Sequence, residues 1–164
     1  MQIGECFVGS GPNAAHVNTV LGSRAGPVGA AWAGALATPT HGHAPFVAVV
    51  RPGVPAKPFT LFVNKAEVRD DDHARLTWGP AQAGVASGVV DAVAEGVIAA
   101  AEIDDLVLIA AVWVDWAAAD GDEVYRNNRD ATLGALRAGS RNDPAFEDVV
   151  AAASTPWNPF FRPD

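Results

Sequence analysis

The chain has 164 residues, 49% of them hydrophobic and 18% charged, which suits one compact domain with enough apolar material for a core. Its formal charge of -8, with 11 Lys and Arg scattered along it, excludes the basic stripe that a nucleic-acid partner needs. No apolar run reaches the roughly 18 to 20 residues of a membrane span, the N-terminus lacks a basic region followed by an apolar core, and the single Cys6 allows no internal disulfide, so a cytoplasmic protein is expected.

Residues 2–10 and 15–22 read as two short strands joined by the turn-forming Gly11-Pro12-Asn13, and they are expected to pair as a hairpin. Gly26-Pro27 then opens an alanine-rich helix over 27–37, with proline at the first helical position. The proline-bounded, β-branched run 45–51 predicts a strand, and so does 59–68, which alternates in period 2. That period places Val63, Lys65 and Glu67 on one face and Asn64 and Ala66 on the other, so Glu67 is expected to pair with Lys65.

From Gly79-Pro80 a helix is predicted to about Glu95, with Val85, Val89 and Val93 at helical spacing and Gly96 at its end. Residues 105–114 read as a buried strand, 122–138 as a helix ending near Gly139, and the proline-rich tail from Ser154 as irregular. The order β-β-α-β-β-α-β-α, with two hairpins and no linker or repeat, favours a single α+β two-layer sandwich with a mixed sheet over a doubly wound parallel one.

The segments GPVGAAWAGAL (26–36), AVVRP (48–52), KPFTLFVNK (57–65) and GPAQAGVASGVVDAVAEGVI (79–98), with AHVNTVLG around His16, DDLVLIAAVWV (104–114) and DATLGAL (130–136), resemble the formaldehyde-activating enzyme family over about residues 3–138. The resemblance implies a fold like ribosomal protein S5 domain 2. It also implies a homopentamer whose sites lie between subunits, and condensation of formaldehyde with tetrahydromethanopterin to the methylene derivative and water. The pterin is then a co-substrate, and neither a metal nor a tightly bound cofactor is implied.

Residue by residue, His16 matches the family's catalytic histidine, Lys65 and Gln82 match two pterin-contacting positions, and Val47 matches a third where leucine is common. Asn18 stands where the family has an aspartate and Glu67 where it has a threonine, and Asn128-Arg129 replaces the expected Asn-Tyr pair. These departures leave open a paralogue that acts on, or only senses, a different aldehyde or carrier.

The chemistry suits the residues. An amine attacks the aldehyde, hydroxide leaves the carbinolamine, and a second nitrogen closes the ring. Hydroxide leaves readily only as water, and a histidine, with an ordinary pKa of about 6.5, is a suitable donor. Asn18, on the same strand face as His16, is placed to orient a substrate amide or hydroxyl, Gln82 to both donate and accept against a ring edge, and Lys65 to hold a carbonyl or an acidic tail.

Other polar clusters read as structural. His41 and His43 lack a third metal ligand near them in sequence, Asp70-Asp71-Asp72 suits a solvated turn or helix start, and Asp120-Gly121-Asp122 lacks the remaining positions of a calcium loop. Cys6 reads as a small buried side chain, and the five tryptophans as packing.

Overall fold

A computed structural model describes residues 1–163. The hairpin β1 (Gln2–Val8) and β2 (Ala15–Ser23) is followed by α1 (Pro27–Ala37), β3 (Phe46–Val47), β4 (Val49–Arg51), β5 (Val54–Pro55) and β6 (Phe59–Asn64). Then come α2 (Asp71–Leu76), α3 (Gln82–Ala94), β7 (Leu106–Trp113), α4 (Gly121–Arg141) and α5 (Phe146–Ala152). The main sheet has the order β1-β2-β7-β6-β3, in which only β6 and β7 run parallel. That parallel pair needs a long crossover, which α2 and α3 supply. The result is the mixed-sheet α+β sandwich expected from the element order.

Strand alternation divides the sheet into two faces. In β2, Ala15, Val17, Thr19 and Leu21 are buried, while His16, Asn18 and Val20 between them are half-buried on the other side. The buried set joins Phe62, Leu108, Ala110 and Val112 from the sheet and Leu76, Val85, Val89, Val124 and Leu136 from the helices in one core. The opposite face is covered by α1 only towards the end of β2, where a Cβ on Gly22 would lie 2.7 Å from the Val28 side chain. The end where β2 begins stays open.

The helical layer is held by close backbone approaches. A Cβ on Gly84 would sit 2.4 Å from the Tyr125 carbonyl oxygen, and one on Gly88 2.5 Å from that of Arg129, so these glycines let α3 lie directly against α4. Gly4 serves β1 in the same way, since a Cβ there would fall 1.8 Å from the Ala135 carbonyl oxygen.

Several boundaries differ from expectation. The run 45–51 is broken at the buried Ala48, whose N–H donates to the Thr60 oxygen while its carbonyl accepts from Ala56, and beyond it β4 leaves to pair with β5 in a separate ribbon. Strand β6 stops at Asn64 instead of running to residue 68, because the Asn64 amide donates to the carbonyls of Gly42 and Ala66 and bends the chain. Lys65 and Glu67 therefore do not share a strand face.

The helix predicted from Gly79 starts earlier. Asp70 caps α2 by accepting from the His73 N–H at 2.8 Å, and a π-helical turn, Thr77–Ala81, carries Pro80 and connects α2 to α3. Gly96, at φ +75°, follows the α3 C-cap as expected. Helix α4 is capped by Asp120 and runs past Gly139 to Arg141, where Asn142 adopts a left-handed conformation, and the short α5 was not foreseen. No helix among the described residues is long and apolar enough to cross a membrane.

Candidate active site

Strand register assembles the site on the open sheet face. Phe7, His16 and Trp113 lie side by side on β1, β2 and β7. Glu5 faces Asn18 across the hairpin and brings its Oε1 to 2.9 Å from His16 Nε2. Lys65 arrives from the turn after β6, where its backbone N–H still donates to the Val112 oxygen. Its Nζ lies 3.2 Å from His16 Nδ1 and donates to Asn18 Oδ1 at 2.8 Å. One connected set, Glu5–His16–Lys65–Asn18, results.

The electrostatics fix how protons sit in this set. Burial holds the Lys65 ammonium down to about 8, with Glu5 opposing the effect, so Lys65 remains charged at neutral pH but is far more acidic than an ordinary lysine. Burial, and then the charge of Lys65, push His16 below its ordinary value, while the Glu5 carboxylate pulls it back up. The resting imidazole is therefore neutral. A charged ammonium has only donors, so Nδ1 accepts from Lys65 and the ring proton sits on Nε2, facing Glu5.

A cavity of about 830 Å³ opens over these groups, a size ordinary for a small-molecule site. Glu5, His16, Asn18 and Lys65, with Asp115 and Asn158, supply its polar part, and Phe7, Trp113, Trp157 and Phe160 its aromatic part. The remaining candidates lie elsewhere on the chain. Val47, on β3, lines a second hollow with Arg24, Trp32, Pro55 and Phe59 beneath α1. Gln82, at the start of α3, is buried, with its amide oxygen accepting from the Val49 N–H.

The expected Glu67–Lys65 pair does not form. Glu67 Oε1 lies 3.8 Å from His41 Nε2, and its backbone carbonyl accepts from the Trp116 indole N–H. Lys65, whose N–H still bonds to β7, stays on the face of Val63 and meets His16 and Asn18, while the turn after Asn64 carries Glu67 away.

The polar clusters read as structural have identifiable partners. His43 Nδ1 is 2.9 Å from the Asn64 oxygen, which ties the 41–43 loop to the end of β6, and His73 Nε2 meets the Val114 carbonyl and ties α2 to β7. In the divergent stretch, Asn127 donates to the Asn13 carbonyl, Asn128 to that of Val124, and Arg129 makes a two-point bond to Asp91. Asn127 and Arg129 join α4 to its neighbours, the Asn128 bond stays within α4, and none of the three lines the cavity. Cys6 is half-buried instead of fully buried, with its Sγ filling the space a Cβ on Gly134 would take.

Sequence reasoning missed Glu5. The signal was present, since a hairpin closed around residues 9–14 in this register sets Glu5 opposite Asn18, two pairs from Phe7–His16 and on the same face.

The sequence model described as Formaldehyde-activating enzyme (Fae) matches residues 3–161. The 5,6,7,8-tetrahydromethanopterin hydro-lyase of Methanosarcina barkeri is 41% identical over 159 residues, which cover 97% of this chain and 89% of that protein. The Bifunctional enzyme Fae/Hps of Methanosarcina mazei is 40% identical over 149 residues, covering 91% of this chain and 38% of the relative. That of Archaeoglobus fulgidus is 38% identical over 159 residues, covering 97% of this chain and 40% of the relative, so the chain spans less than half of either bifunctional protein. With the histidine on its strand, the glycine-lined helix seam and a family match running almost end to end, the chain belongs to the formaldehyde-activating enzyme family.

Proposed function

We propose that this protein is a carbon–nitrogen lyase of the hydro-lyase type that joins formaldehyde to tetrahydromethanopterin, giving the methylene carrier and water. The observation that carries the reading is the Glu5–His16–Lys65 chain at the floor of the cavity. A carbinolamine hydroxyl that displaces the exposed Glu5 carboxylate meets the proton on His16 Nε2. That proton leaves with the hydroxyl as water while Nδ1 takes one from Lys65, so the imidazole ends neutral and the lysine is the net donor. The second carrier nitrogen then attacks the iminium carbon and closes the ring, and the proton it loses passes through His16 back to the neutral Lys65, which restores the resting state.

A proton donor contributes typically 10² to 10⁴ in rate, and the remainder comes from holding the two reactants together, where effective molarities of about 10⁵ to 10⁸ M are attainable. Asn18 and Lys65 orient the carrier beside His16. Proton and positioning both come from side chains of the chain, and the scheme needs no resident metal or cofactor.

We further propose that the active form is a homopentamer with shared sites, working in the cytoplasm. His16, Asn18 and Lys65 line one hollow, while Val47 lines another and Gln82 sits in the helical layer. A carrier that touches all five needs a second copy to bring the missing two. Light scattering then gives about five times 16.9 kDa.

The deciding experiment mixes purified protein, formaldehyde and tetrahydromethanopterin and follows the methylene carrier. The expected result is acceleration over the spontaneous reaction, lost by about 10² to 10⁴ in His16→Ala. A rate equal to the spontaneous one refutes the activity.

A second reading, action on a different reduced carrier, is favoured by the neutral Asn18 amide against Lys65 and by Glu67 turned towards His41. A thermal-shift comparison of reduced pterins and folates separates the two. A ligand at about 100 times its dissociation constant stabilises by about 2.7 kcal/mol, and the carrier with the larger shift is the substrate.

A further inference from the structure

The described chain does not end at the sandwich. After α4, residues 142–161 form an arm that carries α5 and then returns over the open sheet face to the catalytic cavity. At its tip, Asn158 and Phe161 exchange two backbone hydrogen bonds, of 2.9 and 3.1 Å, and the Asn158 side chain accepts from the Phe160 N–H at 2.9 Å. This closed turn projects Phe160 edge-on against Trp113, with ring centroids 6.0 Å apart and planes at 79°. Trp113 is the strand neighbour of His16. The arm's tip therefore stands one strand from the acid.

Packing alone does not account for this contact. Phe160 is 79% exposed and Trp157 60% exposed, although both line the cavity. An arm that served only to complete the core would bury such rings, since each offers some 150 to 250 Å² of apolar surface. Here Phe160 stands exposed above a polar floor, and Trp157 has only the Arg162 guanidinium over its ring, 5.0 Å from the centroid, a cation that a stacking ligand can displace. Phe7 and Trp113 provide further aromatic surface on the sheet side. An exposed aromatic wall opposite a floor of hydrogen-bonding groups suits a ligand with one flat, heteroaromatic ring that stacks with its plane and bonds with its edge, as the pyrimidine ring of a reduced pterin does.

We propose that Trp157 and Phe160 are carrier-binding residues, and that the C-terminal arm is the wall that clamps the bicyclic ring of the carrier against the sheet above His16. This inference rests on the reaction proposed above and adds the element that sets affinity and selectivity for the carrier. Formaldehyde is too small to touch the wall, and His16 receives no hydrogen bond from it. The arm therefore acts on carrier binding alone, and the protonation step stays with the Glu5–His16–Lys65 chain.

The test compares wild type with Trp157→Ala, Phe160→Ala and the double variant, together with Trp157→Phe and Phe160→Tyr. Because both side chains are largely exposed, the alanine variants are expected to keep the wild-type circular dichroism and mass in solution. Each single alanine variant raises KM for tetrahydromethanopterin by about three- to tenfold, and the double by about 10- to 100-fold, as the loss of one or two ring contacts implies. The KM for formaldehyde, kcat at saturating carrier and the pH profile remain within twofold of wild type, and the conservative variants recover most of the affinity. Quenching of intrinsic fluorescence by tetrahydromethanopterin without formaldehyde gives the same ranking of dissociation constants.

An unchanged carrier KM in the double variant overturns the inference, and so does a loss of oligomer mass that accounts for the change. If wild type itself fails to accelerate the reaction, the proposed activity falls. If wild type accelerates and the double variant matches it, only the role of the arm falls.

Discussion

Lys65→Met isolates the cost of keeping a cation beside His16. Lys65 is half-buried and its ammonium is held at about 8, against an ordinary 10.5. At 1.36 kcal/mol per pH unit, a difference of that size corresponds to about 3 kcal/mol of penalty on the charged form. Water still reaches the side chain and screens it, so the penalty expected in practice is about 1 to 2 kcal/mol. The unfolded chain binds a proton at Lys65 more tightly than the folded one does. Stability therefore rises with pH through the window from about 8 to 10.5, and below about 8 the full penalty is present. Methionine fills similar volume without charge, and the groups it deserts, Asn18 Oδ1 and His16 Nδ1, are only half-buried and can turn to water.

Lys65→Met should therefore be more stable than wild type by about 1 kcal/mol at pH 7 while losing most of its activity, a trade of stability for function. Urea denaturation at fixed protein concentration, from pH 6 to 11, measures the difference directly. The gap between variant and wild type should be constant below about pH 8 and close as the pH approaches 10.5. A gap that does not change with pH, or a variant less stable than wild type at pH 7, refutes the assignment of Lys65 as a strained, proton-donating cation.

Glu5→Gln removes the carboxylate that favours the imidazolium, so the His16 limb of the kcat/KM profile should move to lower pH; movement to higher pH would contradict the geometry. Asn18→Asp places an anion on the Lys65 ammonium, which raises the lysine's pKa and slows the step it supplies, as a pH-rate profile would show. Since His16 is depressed in the folded state, its contribution to stability is lost as pH falls below 6.5, and His16→Asn should flatten the acid side of the stability curve. Gly84→Ala and Gly4→Ala force a Cβ into backbone carbonyls and should each cost about 1 to 3 kcal/mol or more in chemical denaturation, whereas Gly53→Ala, whose Cβ would meet nothing, should cost less despite its φ of +78°.

The site was legible in the sequence to the extent that it depends on local pattern. Period-2 alternation in β2 placed His16 and Asn18 on one face, and they are found there. The same rule put Lys65 on the face of Val63, which is that of His16 and Asn18, but the expected pairing with Glu67 failed, because the Asn64 side chain ends β6 by bonding to two carbonyls and the chain turns away before Glu67. Glu67 then falls to the His41 side and Lys65 is left to meet His16. Glu5 was concealed for a different reason. Its role comes from its partner across the hairpin, which a strand read singly does not reveal.

What the sequence by itself determined is the set of elements and the sidedness of β2: a hairpin, a mixed sheet, packed helices, and a histidine that shares a strand face with Asn18. Those follow from contacts no farther than a few residues along the chain, where hydrophobic period, turn chemistry and capping act. What only the tertiary structure decided is which groups touch. The Lys65–His16 contact joins residues 49 apart, and that of Phe160 with Trp113 joins residues 47 apart. The depressed ammonium of Lys65 exists because the fold buries it, and burial is a property of the packed chain that no local pattern encodes.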